Sequence, residues 1–196
     1  MMRGVRALAA LLLAAAPAPL PAGAGAAPDG ESSLEQALQA TAQGDLNARA
    51  ARGSLGAVLG LPKSPASGSV RVGPGFQVYL LRKPQPGAQG DLSAAPEPTG
   101  IWRFLILGPD RPLGLVTLVQ VAGTWRVVEV GAAPLAALLA PSALFHPGMG
   151  SVRFMRVPAA RQDFLEIRTP GQPVAYQPLT PGGKTLSADA LRTLLD

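Results

Sequence analysis

From Val70 onward, short runs of branched and aromatic residues alternate with glycine and proline, and this pattern predicts β-strands. The predicted strands cover residues 76–81, 101–107, 113–121, 125–130, 152–157, 164–168 and 174–177. The third strand is joined to the fourth by a short connection that contains Ala122 and Gly123, which predicts a tight hairpin. Residues 82–100 are rich in proline and glycine and poor in large apolar side chains, so we expect a surface loop there.

The region before the strands has apolar residues at helical spacing. Ser32 and Glu35 match a capping box, in which the two side chains each bond a free backbone N–H at the start of a helix. The pattern then predicts helix as far as a break at Gly44, followed by a second helical stretch that ends at Gly60. Residues 63–68, which are rich in proline, serine and glycine, are expected to form a linker.

A well-marked helix is predicted at the C-terminus. Ser187 is its expected N-cap, and Leu186 and Leu191 stand at the two positions of a hydrophobic staple. Leu191, Leu194 and Leu195 recur at helical spacing, so we expect all three side chains to be buried on one face. A helix this short does not persist alone in water, so these signals predict that it packs against the rest of the protein.

These elements predict an α+β fold, with a mainly antiparallel sheet, an N-terminal helical segment and two short helices. One short helix begins at Ala133-Pro134, because proline is favoured in the first turn, and the other is the C-terminal helix. The expected organisation is a signal peptide at 1–24, a helical segment and linker at 25–69, and a single α+β domain at 70–196.

An internal similarity within this domain indicates two β-β-α half-repeats, at 70–141 and 150–196. In each, a strand leads through a P-x-x-P turn, at 109–112 and at 170–173, to a second strand, and a leucine-striped helix follows later. A duplication of this kind would bury one core shared by two half-units. Chance similarity in a proline-rich chain is the alternative explanation.

The first residues have the features of a secretory signal. Arg3 and Arg6 precede an uncharged apolar run, and Ala22-Gly23-Ala24 fits the small-x-small cleavage rule. The run is far shorter than the roughly 20 residues that span a bilayer. We therefore expect export by the general secretory route, to the periplasm or the extracellular space. The chain has no cysteine, so no lipid anchor is expected.

Composition excludes several chemistries. The chain has no cysteine, so it can form no disulfide, no thiolate nucleophile and no cysteine-bound metal site. It has one histidine, which excludes a metal site with two histidine ligands, so no cofactor or metal is expected. The 17 lysines and arginines exceed the 12 acidic residues only mildly, and this surplus does not predict nucleic-acid binding. Hydrophobic residues make up 47% of the chain, enough to build a packed core.

Catalytic candidates are few. His146 is the only imidazole and therefore the only conventional general base at neutral pH, but a base also needs a nucleophile and an orienting group. Asp163 and Glu166 are three residues apart on a predicted strand, so their carboxylates point to opposite faces and do not converge.

Four residues form the candidate binding surface. Trp102 and Trp125 lie on predicted strands, where aromatic residues usually belong to the core but can form a platform for a peptide or carbohydrate if they share an exposed face. Arg153 and Arg156 belong to the densest basic stretch, although an ideal strand directs them to opposite faces.

Two functional hypotheses follow. The first is a soluble, exported binding or chaperone-like protein without a membrane span, which engages extended polypeptides at strand edges or binds an anionic surface polymer. The alternative is a secreted hydrolase that uses His146 as general base. The absence of any catalytic constellation favours the first.

Overall fold

The computed structural model describes residues 28–66, 68–83, 96–142 and 151–195. The helices in these ranges are α1 (Pro28–Ala51), α2 (Leu55–Val58), α3 (Ala133–Leu139) and α4 (Ala188–Leu195), with a 3-10 turn at Pro158–Ala160. The strands are β1 (Arg71–Leu80), β2 (Glu97–Leu107), β3 (Pro112–Val121), β4 (Thr124–Gly131), β5 (Ser151–Val157), β6 (Gln162–Arg168), β7 (Ala175–Pro178) and β8 (Leu186–Ser187). The predicted signal peptide and His146 lie outside the described residues.

The eight strands form one sheet in the order β4-β3-β2-β1-β5-β6-β7-β8. Strands β1 to β4 form one antiparallel meander and β5 to β8 form another, each running outward from the centre of the sheet. The first strands of the two meanders, β1 and β5, lie side by side and are parallel. The predicted α+β fold with a mainly antiparallel sheet is therefore confirmed.

The two P-x-x-P turns occupy equivalent places in the two meanders. The turn at 109–112 leads from β2 into β3, and the turn at 170–173 lies between β6 and β7, so each joins the second strand of its meander to the third. Helix α3 follows the first meander and α4 follows the second. Each half thus has four strands before its helix, more than the predicted β-β-α unit contains.

Helices cover both faces of the sheet. Helices α1 and α2 pack on the first meander, and Leu38, Ala42 and Leu46 of α1 are almost completely buried there. Side chains along a strand alternate between the two faces of the sheet, and this alternation places α4 on the same face as α1, but over the second meander. There Leu191 belongs to a separate core cluster. Helix α3 covers the opposite face, and its Leu139 packs against residues of both meanders.

Helix α1 differs from the prediction at both of its marked positions. It begins at Pro28, before Ser32, and it continues through Gly44 without the predicted break. The buried stripe of α1 has members on both sides of Gly44, so packing against the sheet keeps this residue helical despite its poor propensity. Because α1 begins at Pro28, Ser32 is not its N-cap, and the carboxylate of Glu35 accepts a hydrogen bond from the backbone N–H of Gly75, 3.1 Å away.

Replacing Gly44 with alanine is expected to raise the free energy of unfolding by about 1 kcal/mol. Gly44 is exposed in mid-helix, no atom lies within 4 Å of where its Cβ would be, and alanine loses less backbone entropy on folding. Urea denaturation followed by circular dichroism measures the change. Gly53→Ala is the matched control, since that site is equally open but has a φ of +69°, so it should lower stability. A lower midpoint for Gly44→Ala would contradict the packing described for α1.

The predicted loop at 82–100 is shorter than expected at its C-terminal end. Strand β2 begins at Glu97, and residues 97 and 98 pair with β1. The hydroxyl of Thr99 donates a hydrogen bond of 2.7 Å to the carbonyl oxygen of Val78, which fixes this end of the strand. Pro98 is tolerated because β3 does not extend far enough to pair with it. Residues 84–95 of the predicted loop lie outside the described residues.

Helix α4 confirms the predicted cap but not the predicted face. The backbone N–H of Ala190 donates a hydrogen bond of 3.2 Å to the hydroxyl of Ser187. Leu191 and Leu195 are buried, but Leu194 is 51% exposed, so the prediction that all three leucines are buried was wrong. The helix contacts the second meander through Ala188, Leu191 and Leu195, and Leu194 lies outside this face.

Among the helices of the described ranges, none has both the length and the apolar composition needed to cross a bilayer.

Candidate functional site

The parallel pairing between β1 and β5 is short, and a pocket lies where it ends. Only residues 78–80 of β1 pair with 154–156 of β5. The preceding residues of both strands, 75–77 and 151–153, instead line a pocket of about 350 Å³, which we call the seam pocket. Its volume is at the lower end of the range for ligand-binding pockets in proteins.

Helix α1 forms one wall of the seam pocket and bonds the backbone of β1. The amide of Gln43 accepts a hydrogen bond from the N–H of Val72, and Gln39 donates to the carbonyl oxygens of Val72 and Gly73. With Glu35 bonded to Gly75, three side chains spaced four residues apart satisfy the edge of β1 that faces away from β2. An exposed strand edge is a template for pairing with other chains, so these contacts protect β1 along the part from Val72 to Gly75.

Trp102 forms a second wall and is held from below. Its ring stacks on Phe104, with ring centres 6.1 Å apart and planes 22° apart. Phe104 is fully buried and lies directly over Gly75, where an added Cβ would come within 2.3 Å of the phenylalanine ring. The absence of a side chain at Gly75 therefore allows Phe104 to lie flat and to support Trp102 at the pocket.

Arg153 forms a third wall, above Tyr79. The centre of its guanidinium lies 5.3 Å from the centre of the Tyr79 ring, a cation–π contact. One of its terminal nitrogens, Nη1, lies 3.7 Å from Oε1 of Glu166 on the neighbouring strand. The Arg153 side chain is 34% exposed, so part of it remains accessible from the pocket.

Glu166 is a buried acid behind this wall. Its side chain is fully buried, and its Oε1 accepts a hydrogen bond of 2.7 Å from Nε of Arg168. The hydroxyl of Tyr176, also buried, donates to Oε2 at 3.4 Å. A carboxylate buried this completely needs compensating partners, and here two arginines and a phenol supply them.

The structure brings together two of the four residues of the predicted binding surface. Trp102 and Arg153 line the same pocket. Trp102 and Trp125 are both partly buried against the core under α1, and Trp125 does not line the pocket, so the two tryptophans do not form a shared exposed platform. Arg156 points to the opposite face of the sheet, where Nε lies 3.3 Å from Oδ1 of Asp163.

The face opposite the seam pocket carries a second group of charges around Arg103. Arg103 is buried, its guanidinium lies 6.0 Å from the centre of the Phe154 ring, and its Nη2 lies 3.9 Å from Oε2 of Glu129. Burial lowers the pKa of Arg103, and the nearby charge of Arg156 lowers it further. Its Nε finds no hydrogen-bond acceptor among the described residues. Because two arginines here face Glu129 and Asp163, this group has no net charge.

Sequence reasoning considered Glu166 only as a possible catalytic carboxylate, and it missed the burial of Glu166 between two arginines and the contacts of the α1 glutamines. Asp163 and Glu166 do lie on opposite faces, as the strand spacing predicts, since each pairs with a different arginine of β5. The cross-strand pair of Arg153 and Glu166 would have been detectable from the register of the β5–β6 hairpin. His146 lies outside the described residues, so its role as a general base stays a prediction.

No family model, curated protein or solved structure matches this chain. Within the described ranges, no group of three or more histidine or acidic side chains is placed to hold a metal ion.

Proposed function

We propose that the protein is an exported, chaperone-like binding module that holds an extended polypeptide segment in the seam pocket. The observation that carries this proposal is the divergence of β1 and β5, which leaves two strand segments, 75–77 and 151–153, lining one pocket instead of pairing with each other. Extended peptides commonly bind by adding to strand edges, where main-chain hydrogen bonds give affinity and side-chain pockets give specificity.

The side chains around the pocket support a peptide ligand. Trp102 offers a flat apolar surface, and Gln77 offers an amide that can both donate and accept hydrogen bonds. Tryptophan, tyrosine and arginine are the residues that most often dominate binding energy at protein interfaces, and all three types meet here. A ligand segment of a few residues suits the size of the pocket.

The two tryptophans of the chain allow a direct test, because one lines the pocket and the other does not. Blocked peptides of alternating valine and threonine, with one central position varied among alanine, leucine, tyrosine, glutamate and lysine, would be titrated into the exported protein. We expect at least one peptide to cause a saturable change in tryptophan fluorescence. That change should persist in Trp125→Phe and disappear in Trp102→Phe.

Affinity measured by calorimetry provides the second readout. Trp102→Ala should weaken peptide binding by about tenfold or more, as loss of a buried aromatic anchor does at other interfaces. Trp125→Ala, the matched control, should leave affinity unchanged. The proposal fails if no peptide in the panel binds the wild-type protein, or if the fluorescence change follows Trp125 instead.

A further inference from the structure

We infer that the seam pocket selects a ligand that carries a carboxylate, which the guanidinium of Arg153 binds on the β5 side of the pocket. This inference rests on the proposed function and adds the chemical class that the pocket prefers.

The charges behind the pocket wall leave one positive charge unbalanced. The single negative charge of Glu166 lies between two positive charges, those of Arg153 and Arg168. Arg168 makes the close contact, a hydrogen bond of 2.7 Å, and so neutralises the buried carboxylate first. The three side chains together carry one excess positive charge, and Arg153 presents it to the pocket.

Arg153 is held in position, but its guanidinium has spare capacity to donate hydrogen bonds. Its closest nitrogen lies 3.7 Å from Glu166, beyond the usual range of a hydrogen bond. Among the described residues, no acceptor forms a hydrogen bond with its guanidinium. Stacking on Tyr79 holds the group in place, and a planar guanidinium is well suited to bind a carboxylate through two parallel hydrogen bonds.

The position of Glu35 sets the orientation of the ligand. Glu35 lines the pocket from α1, and its Oε1 already accepts the N–H of Gly75. A ligand carboxylate near α1 would face this negative charge, whereas near β5 it would face Arg153. The acidic group of the ligand therefore belongs on the β5 side.

Three matched peptides test this inference by calorimetry. The first is acetyl-Val-Thr-Glu-Val-Thr-amide, the second replaces its glutamate with glutamine, and the third is the glutamine peptide with a free C-terminal carboxylate. We expect the glutamate peptide to bind the wild-type protein about 10- to 100-fold more tightly than the glutamine amide, the usual effect of a hydrogen-bonded ion pair. Preference for the third peptide instead would identify a chain terminus as the source of the same carboxylate.

Variants assign the preference to Arg153. Arg153→Gln should reduce the ratio between acidic and neutral peptides to about two or less, while Arg153→Lys, which keeps the charge, should retain part of it. Arg156→Gln is the control, because it removes an arginine of the same strand whose side chain pairs with Asp163 on the opposite face of the sheet, and its ratio should match the wild type. Circular dichroism confirms that each variant is folded.

Two results overturn the inference while leaving the proposed function intact. In the first, the peptides bind the wild-type protein with equal affinity. In the second, the preference for acidic peptides survives in Arg153→Gln. If none of the three peptides nor any of the wider panel binds, the proposed function fails together with the inference.

Discussion

Leu191→Ala is expected to lower the free energy of unfolding by about 2–5 kcal/mol, the usual cost of removing a buried leucine side chain and leaving a cavity. Leu191 is completely buried between α4 and the second meander, in a cluster that includes Met155, Phe164 and Tyr176. A domain of ordinary size has only about 5–15 kcal/mol of stability, so the loss would be a large part of the total. Urea denaturation measures it.

Leu194→Ala is the control for this variant, because it removes the same atoms from the same helix. Leu194 is 51% exposed, so its truncation should cost no more than about 0.5 kcal/mol. Equal losses for the two variants would mean that α4 packs differently from the arrangement described here. No loss for either would mean that α4 is dispensable for folding.

Glu166→Ala is expected to cost about 3 kcal/mol, at the low end of the range for removing one partner of a buried ion pair. The variant leaves a cavity beside Tyr176 and removes the negative charge that Arg153 and Arg168 share. The estimate is at the low end because these arginines are 34% and 32% exposed, so water can partly replace the lost partner.

The matched control is Glu97→Ala, which breaks an ion pair at the surface. Glu97 and Arg82 lie 3.3 Å apart, but their side chains are 62% and 71% exposed, so the loss should be below about 1 kcal/mol. Thermal denaturation of both variants, under the same buffer and salt conditions, makes the comparison. A Glu166→Ala protein as stable as Glu97→Ala would show that the buried charges contribute no more than a surface pair.

Most of the strands could be predicted from sequence because each has its own local signal. Branched and aromatic residues mark β2 and β3, and two residues between β3 and β4 mark their hairpin. The ends of helices were less predictable. Gly44 carries the local signal of a break, but the buried leucines on either side of it, Leu38 and Leu46, decide the conformation through contacts with a distant sheet.

The seam pocket could not be predicted, because it depends on which strands become neighbours. The sequence identified Trp102 as an aromatic residue on a strand and Arg153 as part of a basic stretch, and it predicted both as candidate binding residues. Nothing in the local pattern indicates that β1 lies beside β5, since parallel neighbours are joined by no hairpin. Glu35 was unpredictable for the same reason. The local sequence indicates a capping box, but the folded chain places its carboxylate against the backbone N–H of Gly75.

The arrangement of two outward-running meanders has a consequence for the order of folding. Within each meander, neighbouring strands are consecutive in the chain, so their contacts close short loops. Val78 of β1 and Phe154 of β5 are separated along the chain by the rest of the first meander and by α3. Bringing residues so far apart in sequence into contact is slow. The halves can therefore gain structure separately, and the seam pocket exists only once they have joined. Any ligand held there stabilises the joined state by mass action, so occupancy of the pocket and completion of folding are coupled.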